Sequence, residues 1–211
     1  MSDETSEEMQ LDVDLDARWL PVPLYTEHSP EEWGTEAVGL ALSVREGLEL
    51  SSPVRQVCEA TYAGLLEVLR RRASQDADDV HLAAAYVFTP GEDVLPWTTV
   101  EFSATRLPEG LGVDRFVEDL VAPEDLRFGP PSVTDLQTRA GEAARVKQLL
   151  VVDAPDGGQE VHTSVVYVWQ VEGSETTAVV MSSYFASAVD GELCEEALDE
   201  LAASVRMEGV A

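Results

Sequence analysis

The stretch that decides the fold is ARVKQLLVVDAPDGGQEVHTSVVYVWQV, residues 144–171. Two runs rich in β-branched and aromatic residues flank Asp156-Gly157-Gly158, a strong turn signal. A Gly-Ser turn then leads into a third run, TTAVVMSSYF at 176–185. Strands joined by such tight turns cannot lie parallel, so the sequence predicts an antiparallel sheet.

Further strands and helices are predicted on both sides of this segment. A helix covers 53–75, with Ser52 as N-cap, Pro53 at its first position and apolar residues at helical spacing. A second amphipathic helix covers about 191–206, after the last strand. Additional strands are predicted at 80–89, 97–105 and 133–140. The sequence therefore predicts an α+β fold with a largely antiparallel sheet of about six or more strands packed against helices.

The segment before the first long helix is less clear in its pattern. Ser29 and Pro30 are typical of a helix start, but 38–46 fits a helix and a strand equally well. The basic cluster Arg70-Arg71-Arg72 ends the long helix, where cations interact favourably with the helix dipole.

The overall charge excludes several classes of partner. Of 211 residues, 41 are acidic and 13 are Lys or Arg, which gives a net charge of −28. Phosphate backbones and anionic lipid surfaces are bound by Lys and Arg, so we expect neither nucleic acid nor a membrane as partner. A basic protein is the partner that this charge favours.

Acidic residues are dense at the N-terminus. Residues 1–17 carry seven acids and no base, which predicts an acidic disordered tail before a single domain at 18–211. Such a tail is either a solvated segment without a role or an arm that contacts a basic partner. In the second case the candidate partner-binding residues are Glu7, Glu8, Asp12, Asp14 and Asp16.

The cysteines and the N-terminus bear on the cellular compartment. The first residues show no basic segment followed by an apolar one, so no secretory signal is expected. Cys58 and Cys194 each fall on the apolar face of a predicted helix, which favours buried free thiols over a disulfide. These features predict a cytoplasmic location.

The C-terminal part of the chain carries a family resemblance. It contains a strand turn with small residues after it, an aromatic strand, a strand ending in Ser and Phe, and an amphipathic helix. These are AGEAARVKQLLVV (140–152), SVVYVWQVEG (164–173), AVVMSSYFAS (178–187) and ELCEEALDELAASVRM (192–207). This order resembles the Mog1/PsbP-like fold, particularly its small bacterial members. The resemblance implies an antiparallel sheet sandwiched by helices and no conserved active site. Its better-understood relatives bind protein partners, a GTPase or a photosystem.

Sequence motifs of catalytic and metal sites are missing. His28, His81 and His162 are far apart, and the chain has no nucleophile elbow and no phosphate-binding glycine loop. Glu195 and Asp199 share one helix face, which we interpret as a solvated acidic surface. No catalytic residue, metal or cofactor is therefore predicted.

Two tryptophans are the candidate pocket-lining residues. Trp97 follows Pro96 at a strand start, a position at the rim of a sheet. Trp169 shares one strand face with Tyr167, and this pair fits a core against a helix as well as a pocket wall.

Two functions follow as hypotheses. The first is a non-enzymatic protein-binding or adaptor domain that recognises a basic protein through its acidic surface. The alternative is a small-molecule-binding protein or enzyme with a pocket between the sheet and the helix at 53–75, near Trp97 or Trp169.

Overall fold

The computed structural model describes residues 10–45, 47–75, 80–90, 94–108, 110–174 and 176–208. These ranges contain four α-helices, one 3₁₀-helix and nine strands. The helices are α1 (Pro30–Ser43), α2 (Ser52–Ala73), α3 (Val113–Asp119) and α4 (Ala188–Ser204), with the 3₁₀-helix at Glu124–Leu126. The strands are β1 (Gln10–Asp12), β2 (Trp19–Pro21), β3 (Val80–Phe88), β4 (Thr98–Arg106), β5 (Ser132–Thr138), β6 (Gly141–Asp153), β7 (Gln159–Gln170), β8 (Thr177–Phe185) and β9 (Arg206–Glu208).

Seven strands form one sheet in the order β2-β3-β4-β8-β7-β6-β5, and every neighbouring pair is antiparallel. The consecutive strands β5 to β8 lie side by side, as the tight turns between them predict. β1 and β9 pair separately as a two-stranded antiparallel sheet. The predicted α+β class, with an antiparallel sheet packed against helices, is confirmed.

The β6–β7 hairpin turns where the sequence predicts. Gly157 has a φ of 85°, a left-handed conformation that glycine adopts without a steric penalty. The carboxylate of Asp156 accepts a hydrogen bond of 3.0 Å from the backbone N–H of Gly158, which closes an Asx turn. The turn aligns the two strands from Asp153↔Gln159 to Ala143↔Trp169.

Helices cover both faces of the sheet. On one face, Tyr167 and Trp169 of β7 pack in a core with Leu198 of α4. On the other face, α1 and α2 pack over β2 and β3, while α3 packs over Val166 and Val168 of β7. Alternate residues of β7 thus enter two different cores, because successive side chains of a strand point to opposite faces.

α1 starts as the sequence predicts. The Oγ atom of Ser29 accepts from the N–H of Glu32 (3.1 Å), and the Glu32 carboxylate accepts from the N–H of Ser29 (3.0 Å). This reciprocal capping box satisfies two backbone donors at the helix end. The helix continues to Ser43, so the ambiguous segment 38–46 is helical up to that residue.

α2 is the longest helix and buries one stripe of its surface. Cys58, Tyr62, Leu66 and Leu69 form the buried stripe. Val54 and Val57, which the spacing also assigns to the apolar face, are 49% and 61% exposed. The N-cap is Ser51 rather than Ser52, so the helix begins one residue earlier than expected. No helix in the described ranges is both long enough and apolar enough to cross a membrane.

The arginines at the end of α2 do more than balance the helix dipole. The Arg70 guanidinium donates to four backbone carbonyls of the segment between β2 and α1, at 2.8 to 3.2 Å. Arg72 forms an ion pair with Glu101 of β4 at 2.5 Å. These contacts attach the end of α2 to the sheet and to the entry of α1.

The acidic N-terminal segment differs from the prediction of a disordered tail over 1–17. Gln10–Asp12 forms β1 and pairs with β9, so the described part of the domain begins at residue 10 rather than 18. This pairing joins residues 10–12 to residues 206–208, a contact that local charge composition does not reveal. Residues 1–9, including the candidates Glu7 and Glu8, lie outside the described residues.

Two glycines of α1 give a matched test of its packing on α2. A Cβ atom at Gly34 would lie 2.4 Å from the backbone oxygen of Glu59, whereas one at Gly39 would meet nothing within 4 Å. We expect Gly34→Ala to destabilise the protein by about 1–3 kcal/mol through overpacking.

The control for this substitution is Gly39→Ala. It should stabilise the protein by about 0.5–1 kcal/mol, since alanine favours the helix interior over glycine. Urea unfolding of both variants measures the difference. Equal effects would show that α1 and α2 are not in close backbone contact.

Candidate functional site

Two grooves lie along α2. The first is at the N-terminal half of the helix and has a volume of about 620 Å³. We name it the Leu50 groove. Its walls come from the α1–α2 connection, α2, the segment before β4 and the first turn of α4. The lining residues are Leu48, Leu50, Val54, Cys58, Val94, Leu95, Pro96, Trp97 and Asp190. The groove is therefore apolar, with one carboxylate among the described lining residues.

A second groove of about 370 Å³ lies between the C-terminal half of α2 and the sheet, and we name it the Leu65 groove. It is lined by Thr61, Gly64, Leu65, Val68, Pro96, Trp97, Thr98, Thr99 and Tyr184. β4 and β8 contribute side-chain hydroxyl groups to this groove. It lies where the sequence places a pocket, between the sheet and the helix at 53–75.

The two candidate tryptophans occupy different environments. Trp97 lines both grooves and, with Pro96, forms the ridge between them. Trp169 is fully buried in the core beneath α4, and its Nε1–H donates to the Thr138 hydroxyl at 3.0 Å. Trp169 is not among the residues that line the two grooves, and its position matches the core interpretation of the Tyr167 and Trp169 face.

Apolar side chains outside the buried stripe of α2 are half-exposed beside these grooves. Val54 is 49% exposed, Val57 61% and Val68 49%, and they follow each other at helical spacing. Leu95 is 43% exposed across the Leu50 groove. Exposed apolar side chains therefore lie along α2 among and next to the residues that line the grooves.

A chain of three polar side chains ends at the Leu65 groove. His162 is buried, with Nδ1 in hydrogen-bond contact with the Tyr184 hydroxyl and Nε2 3.1 Å from the Glu160 carboxylate. A carboxylate only accepts, so Nε2–H donates to Glu160, and in the neutral imidazole Nδ1 accepts from the Tyr184 hydroxyl. Burial, with a smaller contribution from Glu160, raises the pKa of Tyr184.

The sequence pattern gives little sign of this chain of side chains. Glu160 and His162 share one strand face at a spacing of two, which is a weak signal. Tyr184 reaches them only because Ser164 of β7 pairs with Tyr184 of β8, a register that is not visible in the sequence.

The candidate partner-binding acids near the N-terminus bind arginines of the same chain. Asp14 pairs with Arg139 and Arg206, and Asp16 pairs with Arg18 at 2.5 Å. These hydrogen bonds and charges lower the pKa of Asp14 and of Asp16. Asp12 lies 3.6 Å from Arg206. Their carboxylates therefore already have cationic partners within the domain.

The interpretation of Glu195 and Asp199 as a solvated surface is wrong. Both carboxylates bind Arg145 of β6, whose side chain is only 8% exposed, and Glu195 also binds Lys147. Asp199 further accepts a hydrogen bond from the hydroxyl of Tyr167. The acidic face of α4 is thus an ion-pair network that attaches the helix to the sheet.

Metal binding and thiol chemistry find little support in the part of the chain that the structure describes. No group of three or more His, Cys, Asp or Glu side chains there is arranged to hold a metal ion. Cys58 and Cys194 are buried and free, as predicted. Burial raises the pKa of Cys194 to about 11, so its thiol stays protonated at neutral pH.

Replacing Glu195 or Glu101 by Gln should change the stability of the protein at pH 7 in opposite directions. Burial acts to raise the pKa of Glu195, but hydrogen bonds from Lys147 and Arg145 outweigh it and lower the pKa. The stabilisation is therefore present above the unfolded pKa of about 4.3 and is lost as pH falls through the folded value. Glu195→Gln should cost about 1.5–3 kcal/mol at pH 7, and the loss should shrink below about pH 4.

Glu101→Gln is the matched variant, because it also removes one negative charge. Burial raises the pKa of Glu101, and Arg72 only partly opposes this. A carboxyl with a raised pKa destabilises the fold once pH exceeds that pKa, so Glu101→Gln should stabilise the protein at pH 7 and not at pH 3. Urea unfolding at both pH values tests the pair, and a stabilising Glu195→Gln would contradict the network.

Comparisons with known proteins add no family to this description. No family model matches the chain, and no curated protein matches it.

Proposed function

We propose that this protein is a protein-binding domain that docks a basic, amphipathic segment of a partner protein in the Leu50 groove. The observation that carries the proposal is the continuity of this groove with half-exposed apolar side chains. Val54 and Leu95 line the groove, and Val57 lies one helical turn from Val54 on the exposed side of α2. Isolated apolar residues are common on surfaces, but a groove that opens onto several of them is typical of an interaction site.

The shape of the groove favours a side chain or helix face of a protein over an isolated small molecule. Asp190 is the one charged side chain among its described lining residues, and most of the other side chains are apolar. Small-molecule sites usually combine an apolar wall with several converging polar groups that fix the orientation of the ligand. An apolar cleft with acidic borders instead suits the apolar face of an amphipathic helix.

The charge of the surroundings selects a basic partner. Asp190 faces the groove, exposed Glu49 lies between the lining residues Leu48 and Leu50, and no Lys or Arg is among the described lining residues. The whole chain carries a net charge of −28. A cationic segment would be attracted over a long range, and an acidic one repelled.

The resemblance to the Mog1/PsbP-like fold supports the same proposal, since the better-understood relatives act by binding protein partners. Glu7 and Glu8 stay candidates for additional contacts with a basic partner. A cytoplasmic location, which the cysteines and the N-terminus favour, is part of the proposal. A second candidate function, binding or conversion of a small molecule between the sheet and α2, is favoured by the Leu65 groove and its Tyr184 hydroxyl.

A designed peptide tests the proposal directly, because it carries the chemistry that the groove should recognise. The probe is a helical peptide of about 18 residues, or five turns, with leucines on one face and lysines on the other. Trp97 lines both grooves, whereas Trp19, Trp33 and Trp169 are at most 4% exposed, so tryptophan fluorescence reports on binding in either groove, and the variants below assign it to one. We expect binding that weakens as salt rises from about 0.1 to 1 M, where the Debye length falls from about 10 to 3 Å.

The matched variants are Val54→Asp in the groove and Val133→Asp on β5. The two valines are 49% and 48% exposed, and both substitutions add one negative charge. An acid in the first turn of α2 suits the helix dipole, so Val54→Asp should fold. We expect Val54→Asp to weaken peptide binding at least tenfold, or about 1.4 kcal/mol, and Val133→Asp to leave it unchanged. Equal effects of the two variants, or equal binding of a peptide with glutamates in place of lysines, would refute the proposal.

A further inference from the structure

Tyr184 stands apart from the other hydroxyl groups of the Leu65 groove because a base contacts it. The Thr61 hydroxyl donates to the backbone oxygen of Val57 at 2.9 Å, and the Thr98 hydroxyl is bonded to Ser183 at 2.8 Å. The Tyr184 hydroxyl is instead hydrogen-bonded to Nδ1 of His162, and the residue is 49% exposed. Tyr184 is thus a half-exposed tyrosine whose hydroxyl contacts an imidazole.

The imidazole is oriented as a base requires. Nε2–H of His162 donates to Glu160 at 3.1 Å, and in the neutral ring the Nδ1 lone pair is then directed at the Tyr184 hydroxyl. The His162 side chain is only 11% exposed, so the ring has little freedom to turn away. A hydroxyl, a base and a carboxylate that orients the base are the parts of an activated nucleophile.

The groove supplies a place for the group that would react. Leu65, Val68 and Trp97 form an apolar wall beside Tyr184. Such a wall suits a small apolar acyl or aryl group, and the exposed mouth of the groove admits it from solvent.

We propose that Tyr184 is a nucleophilic acyl acceptor, with His162 as its base and Glu160 as a positioning residue, for activated carboxylic esters that bind in the Leu65 groove. This activity is independent of the docking function proposed for the Leu50 groove. The chemical class of substrate is an ester with a good leaving group and a short apolar acyl chain.

The reaction balances without any further reagent. The Tyr184 oxygen forms a bond to the acyl carbon while its proton passes to Nδ1 of His162. The bond between the acyl carbon and the leaving oxygen breaks, and that oxygen takes the proton from His162. Water then attacks the tyrosyl ester by the same route, which releases the carboxylic acid and restores the Tyr184 hydroxyl.

Burial makes the base necessary rather than optional. The pKa of Tyr184 is raised, so its hydroxyl is protonated at neutral pH and a free phenolate contributes little. Removal of the proton by His162 during attack is the step that distinguishes Tyr184 from other exposed tyrosines.

The protein provides an internal control for this chemistry. Tyr25 is 60% exposed, more than Tyr184; its hydroxyl donates to the backbone oxygen of Leu82, and its ring stacks on that of His81 with the centroids 6.0 Å apart. The comparison therefore tests the placement of the imidazole rather than its mere presence beside a tyrosine. The probe is p-nitrophenyl acetate, with nitrophenolate release followed by absorbance and the acetylated residues identified by peptide mass mapping. We expect acetyl groups to appear on Tyr184 at least 100-fold faster than on Tyr25, within the range of general base catalysis.

Four substitutions separate the roles of the three residues. Tyr184→Phe should abolish the rapid phase of nitrophenolate release, and His162→Gln should slow Tyr184 acetylation at least 100-fold. Glu160→Gln should slow it about tenfold, while Glu160→Asp, which keeps the carboxylate, should restore most of the rate.

The wild-type ratio of acetylation at Tyr184 and Tyr25 needs no variant, so the proposal stays testable even if His162→Gln does not fold. Equal acetylation of the two tyrosines would overturn the proposal. So would a folded His162→Gln variant that retains the wild-type ratio, because the imidazole would then have only a structural role.

Discussion

The register of β7 between β6 and β8 is the constraint on which the rest of the structure depends. It pairs Ala143 with Trp169 on one side and places Tyr184 beside the face of His162 on the other. Because the side chains of a strand alternate, a slip by one residue would turn Tyr167 and Trp169 away from α4 and toward the opposite face. The same slip would remove His162 from Tyr184. One register therefore determines both the core and the polar chain at the Leu65 groove.

α4 packs on β7, and its position there determines part of the wall of the Leu50 groove. A Cβ atom at Gly191 would lie 2.5 Å from the side chain of Thr163, so the helix can approach β7 this closely only at a glycine. Further along, Glu195 and Asp199 bind Arg145 of the sheet. These two attachments fix the first turn of α4, and that turn carries Asp190 to the border of the groove. The position of Asp190 at the groove thus depends on the contacts that α4 makes with the sheet.

The fold class was accessible from sequence because its signals are local. Turn residues such as Asp156-Gly157-Gly158 and the spacing of apolar residues in α2 act within a few positions of each other. The pairing of β1 with β9, the Arg145 network and the contact between His162 and Tyr184 join residues far apart in the chain. From charge density alone, Asp14 falls in an acidic tail and Glu195 on a solvated helix face, whereas in the structure both carboxylates bind arginines. Composition does not show which acidic side chains lie next to a cationic one. Trp97 was accessible as a rim residue because its place after Pro96 at a strand start is itself a local signal.

The ridge formed by Pro96 and Trp97 is shared by two grooves that carry different polar side chains. One side of the ridge faces the apolar cleft with Asp190, and the other faces the hydroxyl groups and Tyr184. A ligand that leaves the Trp97 ring in place can occupy one groove without changing the walls of the other. A ligand that moves the ring must alter both, and the coupling between the two sites would then be reciprocal. Substitutions at Val54 and at Tyr184 each change one groove, whereas a substitution at Trp97 changes both and cannot assign a function to either.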